Sequence, residues 1–176
     1  MVMSQVNKLV GCTLVRTVLL GAWLMLLSQP AGLASARLQS RDVPSDVLEQ
    51  STFERVNQQR VSHRLPPLQK NDHLMRAARE HSRDMAERDY MSHTNPDGYK
   101  LVDRARLAGV RRARHIAENL GQHRAHTDPV AAIVQGWMNS PAHRENILNS
   151  RFRVTGLGVV RATDGTIYFT QLFADR

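Results

Sequence analysis

Cysteine occurs once in the 176 residues, at position 12. No internal disulfide can therefore brace the fold, and a Cys-based metal cluster is excluded. Such a chain must hold itself together by packing alone, which demands a core of useful size. The material is present: 41% of the residues are apolar and 23% are charged, which rules out a disordered tail and a multi-span membrane protein. The length suits one domain.

The surroundings of Cys12 narrow the reading. Lys8 and Arg16 are the only charges in residues 1–36, and residues 17–27 read TVLLGAWLMLL. That run has signal-peptide length and is too short to span a bilayer. Pro30 ends it, and Ala34-Ser35-Ala36 forms a small-x-small cleavage site. The expectation is a signal peptide over 1–36, cut after Ala36, with export as the consequence; the alternative is an uncleaved anchor. Leu9-Val10-Gly11-Cys12 looks like a lipoprotein box, but it precedes the apolar run instead of following it. Removing 1–36 leaves 140 residues with no cysteine and a net charge of +6 in place of +8.

The remaining chain opens with a polar lead-in, residues 37–44. Ser45 or Asp46 can cap a first helix to about His63, with Leu48, Phe53, Val56 and the stem of Arg60 facing inward. Leu65-Pro66-Pro67-Leu68 is a rigid turn. Asn71 or Asp72 can cap a second helix to about Arg88, on which Leu74, Ala78, His81 and Met85 share one face. Residues 91–98, MSHTNPDG, are loop by composition. A short helix follows over 101–107, closed by Gly109, and His115–Leu120 can form a strand. Asp128-Pro129 and Ser140-Pro141 both read as helix starts, for helices to about Met138 and Leu148. Val154–Ala162 and Thr166–Phe173 are strands around a Thr163-Asp164-Gly165 turn. Helices first and a hairpin last, without regular alternation, predict an α+β domain with helices packed on a small antiparallel sheet.

Several chemistries are missing. No HExxH or GxSxG occurs, no glycine-rich phosphate loop is present, and Gly156-x-Gly158 lies in a strand without a third glycine. Three places remain: His93 after the second helix, Glu118 flanked by apolar residues, and His143 with Glu145. Two imidazoles with one or two carboxylates are the inventory of a zinc site or of general acid–base chemistry. Separate surface and capping roles would explain the same residues, since Glu145 also suits a helix N-terminus.

Taken together, Val56-Asn57-x-x-Arg60, Leu65-x-x-Leu68, Met85-Ala86, Ser92-His93-Thr94, Ala117-Glu118-Asn119, Trp137-Met138-x-Ser140-Pro141-x-His143-Arg144-x-Asn146-Ile147-Leu148, Gly156-x-Gly158 and Tyr168-x-Thr170-Gln171 resemble the bacterial branch of the CAP superfamily. This superfamily comprises the cysteine-rich secretory, antigen 5 and pathogenesis-related proteins. The resemblance runs from about Ser45 to the C-terminus, so 45–176 is expected to be one such SCP-like domain. It implies an α-β-α sandwich, with a sheet of about three antiparallel strands between helical layers. It also implies a secreted protein with a His/Glu-lined cleft that in some members binds a divalent metal.

Carried over by motif, His93 and Glu118 match the first cleft histidine and glutamate. His143 is expected to face the same cleft, with Glu145 and Gln171 beside it. A metal such as zinc would use His93, His143 and Glu118. Animal and plant members place a further histidine near the final strands, and 154–173 has none. The resemblance favours a protein that binds a lipid, an envelope component or a protein partner. The rival is a hydrolase in which Glu118 with His93 or His143 activates water.

Other polar residues have plainer readings. His81 is expected to be a hydrogen-bonded core group, Trp137 to be core, Asn119 to satisfy backbone groups, and His123 and His126 to be surface residues. The run Arg111-Arg112-Ala113-Arg114-His115 has no interleaved aromatics, so it reads as a solvated face and not a nucleic-acid site. Attraction to an acidic envelope or anionic lipid stays open.

Overall fold

In a computed structural model the described residues are 43–124 and 127–176. The signal-peptide and lipoprotein-box readings, most of the lead-in and His126 lie outside them. Five helices and four strands follow in the order α1 (Ser45–Ser62), β1 (Gln69–Lys70), α2 (Asp72–Arg88), α3 (Leu101–Leu107), β2 (Ile116–His123), α4 (Pro129–Asn139), α5 (Pro141–Leu148), β3 (Val154–Arg161) and β4 (Ile167–Ala174).

The expected start signals act through identifiable atoms. Asn71 caps α2 by accepting from the Leu74 N–H at 3.1 Å. Asp128 caps α4 by accepting from the Val130 and Ala131 N–H groups at 3.0 Å each. At α1 the expectation needs correction: Pro44 occupies the N-cap, and no side chain caps the helix. Proline cannot offer a capping oxygen, and Asp46 instead accepts from the Val47 N–H.

The sheet order is β1-β3-β4-β2, with β3-β4 and β4-β2 antiparallel and β1-β3 parallel. The three antiparallel strands are those expected. The added β1 makes the sheet mixed; at two residues it is too short to carry any periodicity.

Alternation along the strands sorts the core into two layers. Leu157, Val159, Phe169 and Phe173 pack with Leu48, Val56, Val130, Ile133 and Trp137 from α1 and α4. Leu172 meets Leu74, Ala77 and Ala78 of α2, and Leu120 and Tyr168 meet Met85. The domain is thus an α-β-α sandwich, with α2 and α3 on one face and α1, α4 and α5 on the other. The described residues belong to one compact unit, and all three apolar clusters lie within it.

Two glycines set how closely α2 lies on the sheet. A Cβ on Gly156 would sit 2.1 Å from the Leu74 carbonyl carbon, and one on Gly158 would sit 2.3 Å from that of Ala78. Four helical residues rise about 6 Å and two strand residues about 6.6 Å. The two glycines therefore stay in step with successive turns of α2.

On the other face, Arg60 is fully buried and donates to the carbonyls of Pro66 at 3.0 Å, Ile147 at 2.7 Å, Asn149 at 3.0 Å and Phe152 at 3.2 Å. It ties the end of α1 to the exit of α5.

Candidate functional site

The strand β2 is an edge of the sheet, and its pleat splits the Ala117-Glu118-Asn119 motif between two faces. Glu118 pairs with Leu172 and points to the α2–α3 layer, while Asn119 pairs with Gln171 and points toward α5. Asn119 Nδ2 donates to the His143 carbonyl at 3.0 Å, and Asn146 Nδ2 donates to Asn119 Oδ1 at 2.9 Å. The expected backbone-satisfying role of Asn119 is thus met, and it anchors the helix that carries His143.

His93 comes from the loop after α2. Asp89, with φ 51°, ends the helix in the left-handed region, and Gly98, with φ 85°, turns the chain back. Two side chains hold the loop by consecutive carbonyls. His81 Nε2 donates to Ser92 O at 3.0 Å, and Arg104 Nη2 donates to His93 O at 2.9 Å. His81 is therefore the buried, hydrogen-bonded group expected of it.

These supports bring His93 onto Glu118, with Nδ1 2.7 Å from Oε2. The carboxylate is buried, whereas the His93 side chain is 60% exposed. The His93 Nε2 has no hydrogen-bond partner among the described residues. Arg104 closes the arrangement from α3: Nη1 lies 2.9 Å from Oε1, and Nη2 lies 2.9 Å from Oε1 and 3.1 Å from Oε2.

Burial pushes the Glu118 carboxyl upward. The hydrogen bonds from His93 and Arg104, with the Arg104 charge, outweigh it and hold the group below its ordinary value. The bond to Glu118 raises the His93 imidazole above its ordinary value against the effect of partial burial. Burial lowers His143 below its ordinary value, and the charge of His93 acts in the same direction.

Arg104 was not among the expected site residues. Its signal is an arginine on the inward stripe Leu101, Arg104, Ala105, Ala108, where an unpaired charge would be costly. Its partner had to be a carboxylate brought from elsewhere in the chain.

The other expectations separate. Glu145 is exposed and borders a groove with Met138, Asn139, Pro141, Arg144 and Leu148, apart from the His93–Glu118 contact. Gln171 is fully buried in the α1–α4–α5 layer, where its Nε2 donates to Thr155 Oγ1 at 3.1 Å. The one-residue offset between Leu172 and Gln171 puts them on opposite sides of the sheet. Gln171 thus cannot share the face of Glu118.

A divalent metal would need about three protein ligands. Both oxygens of Glu118 are engaged by Arg104 and His93, Gln171 lies behind the sheet and Glu145 lies elsewhere. Two imidazoles remain, and this donor set does not fit a metal centre.

Residues 53–173 match the family described as CAP: Cysteine-rich secretory protein family. The chain belongs to the CAP family.

Among CAP relatives, the Bacillus subtilis (strain 168) protein YkwD is 33% identical over 130 residues, covering 73% of this chain and 48% of YkwD. The membrane protein YlbC of the same organism is 34% identical over 128 residues, covering 73% of this chain and 34% of YlbC. The chain thus spans half or less of the length of these relatives. An extracellular SCP-domain protein of Bacillus anthracis str. Ames aligns with a TM-score of 0.65 at 34% identity, over 75% of this chain and 41% of that one. An outer surface protein of Borrelia burgdorferi shares the fold, with a TM-score of 0.68 at 22% identity over 76% of this chain and 96% of its own. No helix among the described residues is long and apolar enough to cross a membrane.

Proposed function

We propose that this CAP domain is an exported binding protein whose cleft takes an envelope component, lipid, glycan or protein, between His93 and His143. The observation that carries the reading is the engagement of Glu118. Both its oxygens are hydrogen-bonded and the carboxyl is held ionised. A group so occupied is a poor acid or base toward a ligand, but it is a firm support for the ring above it. In this reading the ligand meets the exposed ring of His93, raised by Glu118, and that of His143, lowered by burial, which together suit a polar group that both accepts and donates. The extracellular Bacillus anthracis relative agrees with the signal-peptide pattern at the N-terminus.

The test is titration of residues 37–176 with separated envelope lipids, glycans and proteins, for wild type and His93→Ala/His143→Ala. Saturable binding lost in the double variant is expected. Absence of binding to every fraction, or binding unchanged in the variant, contradicts the reading.

One feature favours a second reading. A carboxylate-held imidazole with a free Nε2 has the arrangement of a general base toward water. A hydrolase of this kind would lose turnover in Glu118→Gln, and full activity in that variant would reject it.

A further inference from the structure

The helix α3 has two working faces. Its inner face supplies Arg104 to the site and packs Ala105 and Ala108. Its outer face is unusually apolar for a surface. Six large apolar side chains are exposed among the described residues, and four of them, Met91, Tyr99, Val102 and Leu107, lie on α3 or the loop before it; Leu107 is 72% exposed. Val102 and Arg106 share one side of α3 by spacing, Leu107 stands about 140° round from Val102 on the exposed arc, and Tyr99 lies just before the helix.

Cations surround these residues. Lys100, Arg106, Arg111, Arg112 and Arg114 are exposed, and no carboxylate among the described residues lies within ion-pair distance of their charged groups. The C-terminal Arg176 joins them, its Nε donating to Arg112 O at 2.7 Å. Acids lie along the segment too: Asp97 is paired with Arg88, Asp103 accepts from the Lys100 N–H, and Asp175 from the C-terminal tail accepts from the Arg114 N–H. Glu80 and Asp84 border the α2 side of the cavity below Tyr99 and Leu107, where Asp84 is paired with Arg88.

We infer that the outer face of α3, with the basic segment after it, docks on the surface of an anionic lipid bilayer. Exposed apolar side chains with unpaired cations on the same helix and on the segment after it match the two layers of such a surface, acyl boundary below and anionic headgroups around. A hydrated polyanion such as a nucleic acid or a polyphosphate would use the cations and leave Leu107, Val102 and Tyr99 without a role. Docked in this way, the domain would hold the cleft beside the membrane, since α3 forms the cleft wall. The inference does not depend on what the cleft binds; Arg111 and Arg112 lie outside the cavity that Arg104 and His81 line, whereas Leu107 borders it.

The test uses residues 37–176 and vesicles of one part phosphatidylglycerol to two parts phosphatidylcholine, with pure phosphatidylcholine vesicles and soluble inorganic polyphosphate as controls. Co-sedimentation with the anionic vesicles is expected, weakening as salt rises, with little on the neutral ones. Arg111→Gln/Arg112→Gln should weaken vesicle binding about 25-fold, about fivefold for each cation at an anionic surface. Leu107→Ser should weaken binding to vesicles but not to polyphosphate. The charge-matched Arg55→Gln/Arg151→Gln, away from α3, should bind the vesicles as wild type does. Equal binding to neutral vesicles, no binding at low salt, preference for polyphosphate with no effect of Leu107→Ser, or an equal loss in the charge-matched variant would each overturn the inference. Arg111 and Arg112 do not border the cavity lined by Arg104 and His81, so loss of cleft binding in His93→Ala/His143→Ala leaves the result of Arg111→Gln/Arg112→Gln separate.

Discussion

Arg104 grips both oxygens of Glu118, at 2.9 Å and 3.1 Å through its Nη2 atom alone, with Nη1 adding a second contact to Oε1 at 2.9 Å. Both partners are nearly sealed from solvent, with side-chain exposures of 9% and 1%. Removing one partner leaves the other charged and buried, which costs about 3–5 kcal/mol. Arg104→Met and Glu118→Leu are each expected to fall in that range in urea denaturation. Arg104→Met/Glu118→Leu should be less destabilised than the sum of the two. Strict additivity would show that the contact is not made.

Acid stability should follow from the same contact. The Glu118 carboxyl is lower when folded than its ordinary 4.5. Its contribution is therefore fully present above that value and is lost as pH falls through the lower folded value. His81 acts at milder pH. Burial, and then the Arg104 charge, lower it from 6.5, so the folded state favours its neutral form. That contribution is present above 6.5 and fades as pH falls below it. Asp84 and Glu118 oppose the shift without reversing it. His81→Gln keeps a donor for Ser92 O and removes the titration. Its urea midpoint should drop less than that of wild type between pH 7 and pH 5.

Packing of α2 on the sheet is tested at one atom. Ala78 and Arg79 backbone atoms stand 2.3 Å from the place a Cβ on Gly158 would take. Backbone cannot rotate away as a flexible side chain can, so Gly158→Ala should cost at least ~2 kcal/mol. Gly136→Ala, where nothing lies within 4 Å, is the control and should be neutral or slightly stabilising.

Arg60 predicts a different kind of loss. It serves four carbonyls and has no acidic partner among the described residues. Arg60→Met preserves bulk and strands those carbonyls, at about 3–5 kcal/mol by denaturation. A cost within ~1 kcal/mol would mean that the carbonyls find other donors.

The residues differ in how far ahead of the structure they could be read. Helix starts were legible where one side chain settles the matter, as at Asn71 and Asp128, because capping is local. The strands were legible from Val154 and Thr166 onward because the terminal hairpin is rich in β-branched and aromatic residues on either side of a Thr163-Asp164-Gly165 turn. His93, Glu118 and His143 stood out through motif resemblance and not through spacing, since they lie on three separate segments, of which the first two meet at 2.7 Å. Arg104 was missed because its value depends on Glu118, fourteen positions away in the chain. Gln171 was misplaced for the opposite reason: its motif was legible, but the register that turns Leu172 toward α2 and Gln171 away was not. β1 escaped because two residues carry no period.

Glu118 acts as an ionised support that fixes and charges His93, and the titration of that one imidazole tests this role most directly. Followed by 15N NMR, His93 should titrate above 6.5 with Nδ1 carrying the proton bonded to Glu118. Its midpoint should fall in Glu118→Gln. Sign follows from linkage: the raised value means the contact stabilises the fold below 6.5 and fades as pH rises through the folded value. A wild-type midpoint at or below 6.5, or a proton on Nε2 and not Nδ1 in the neutral form, would contradict it.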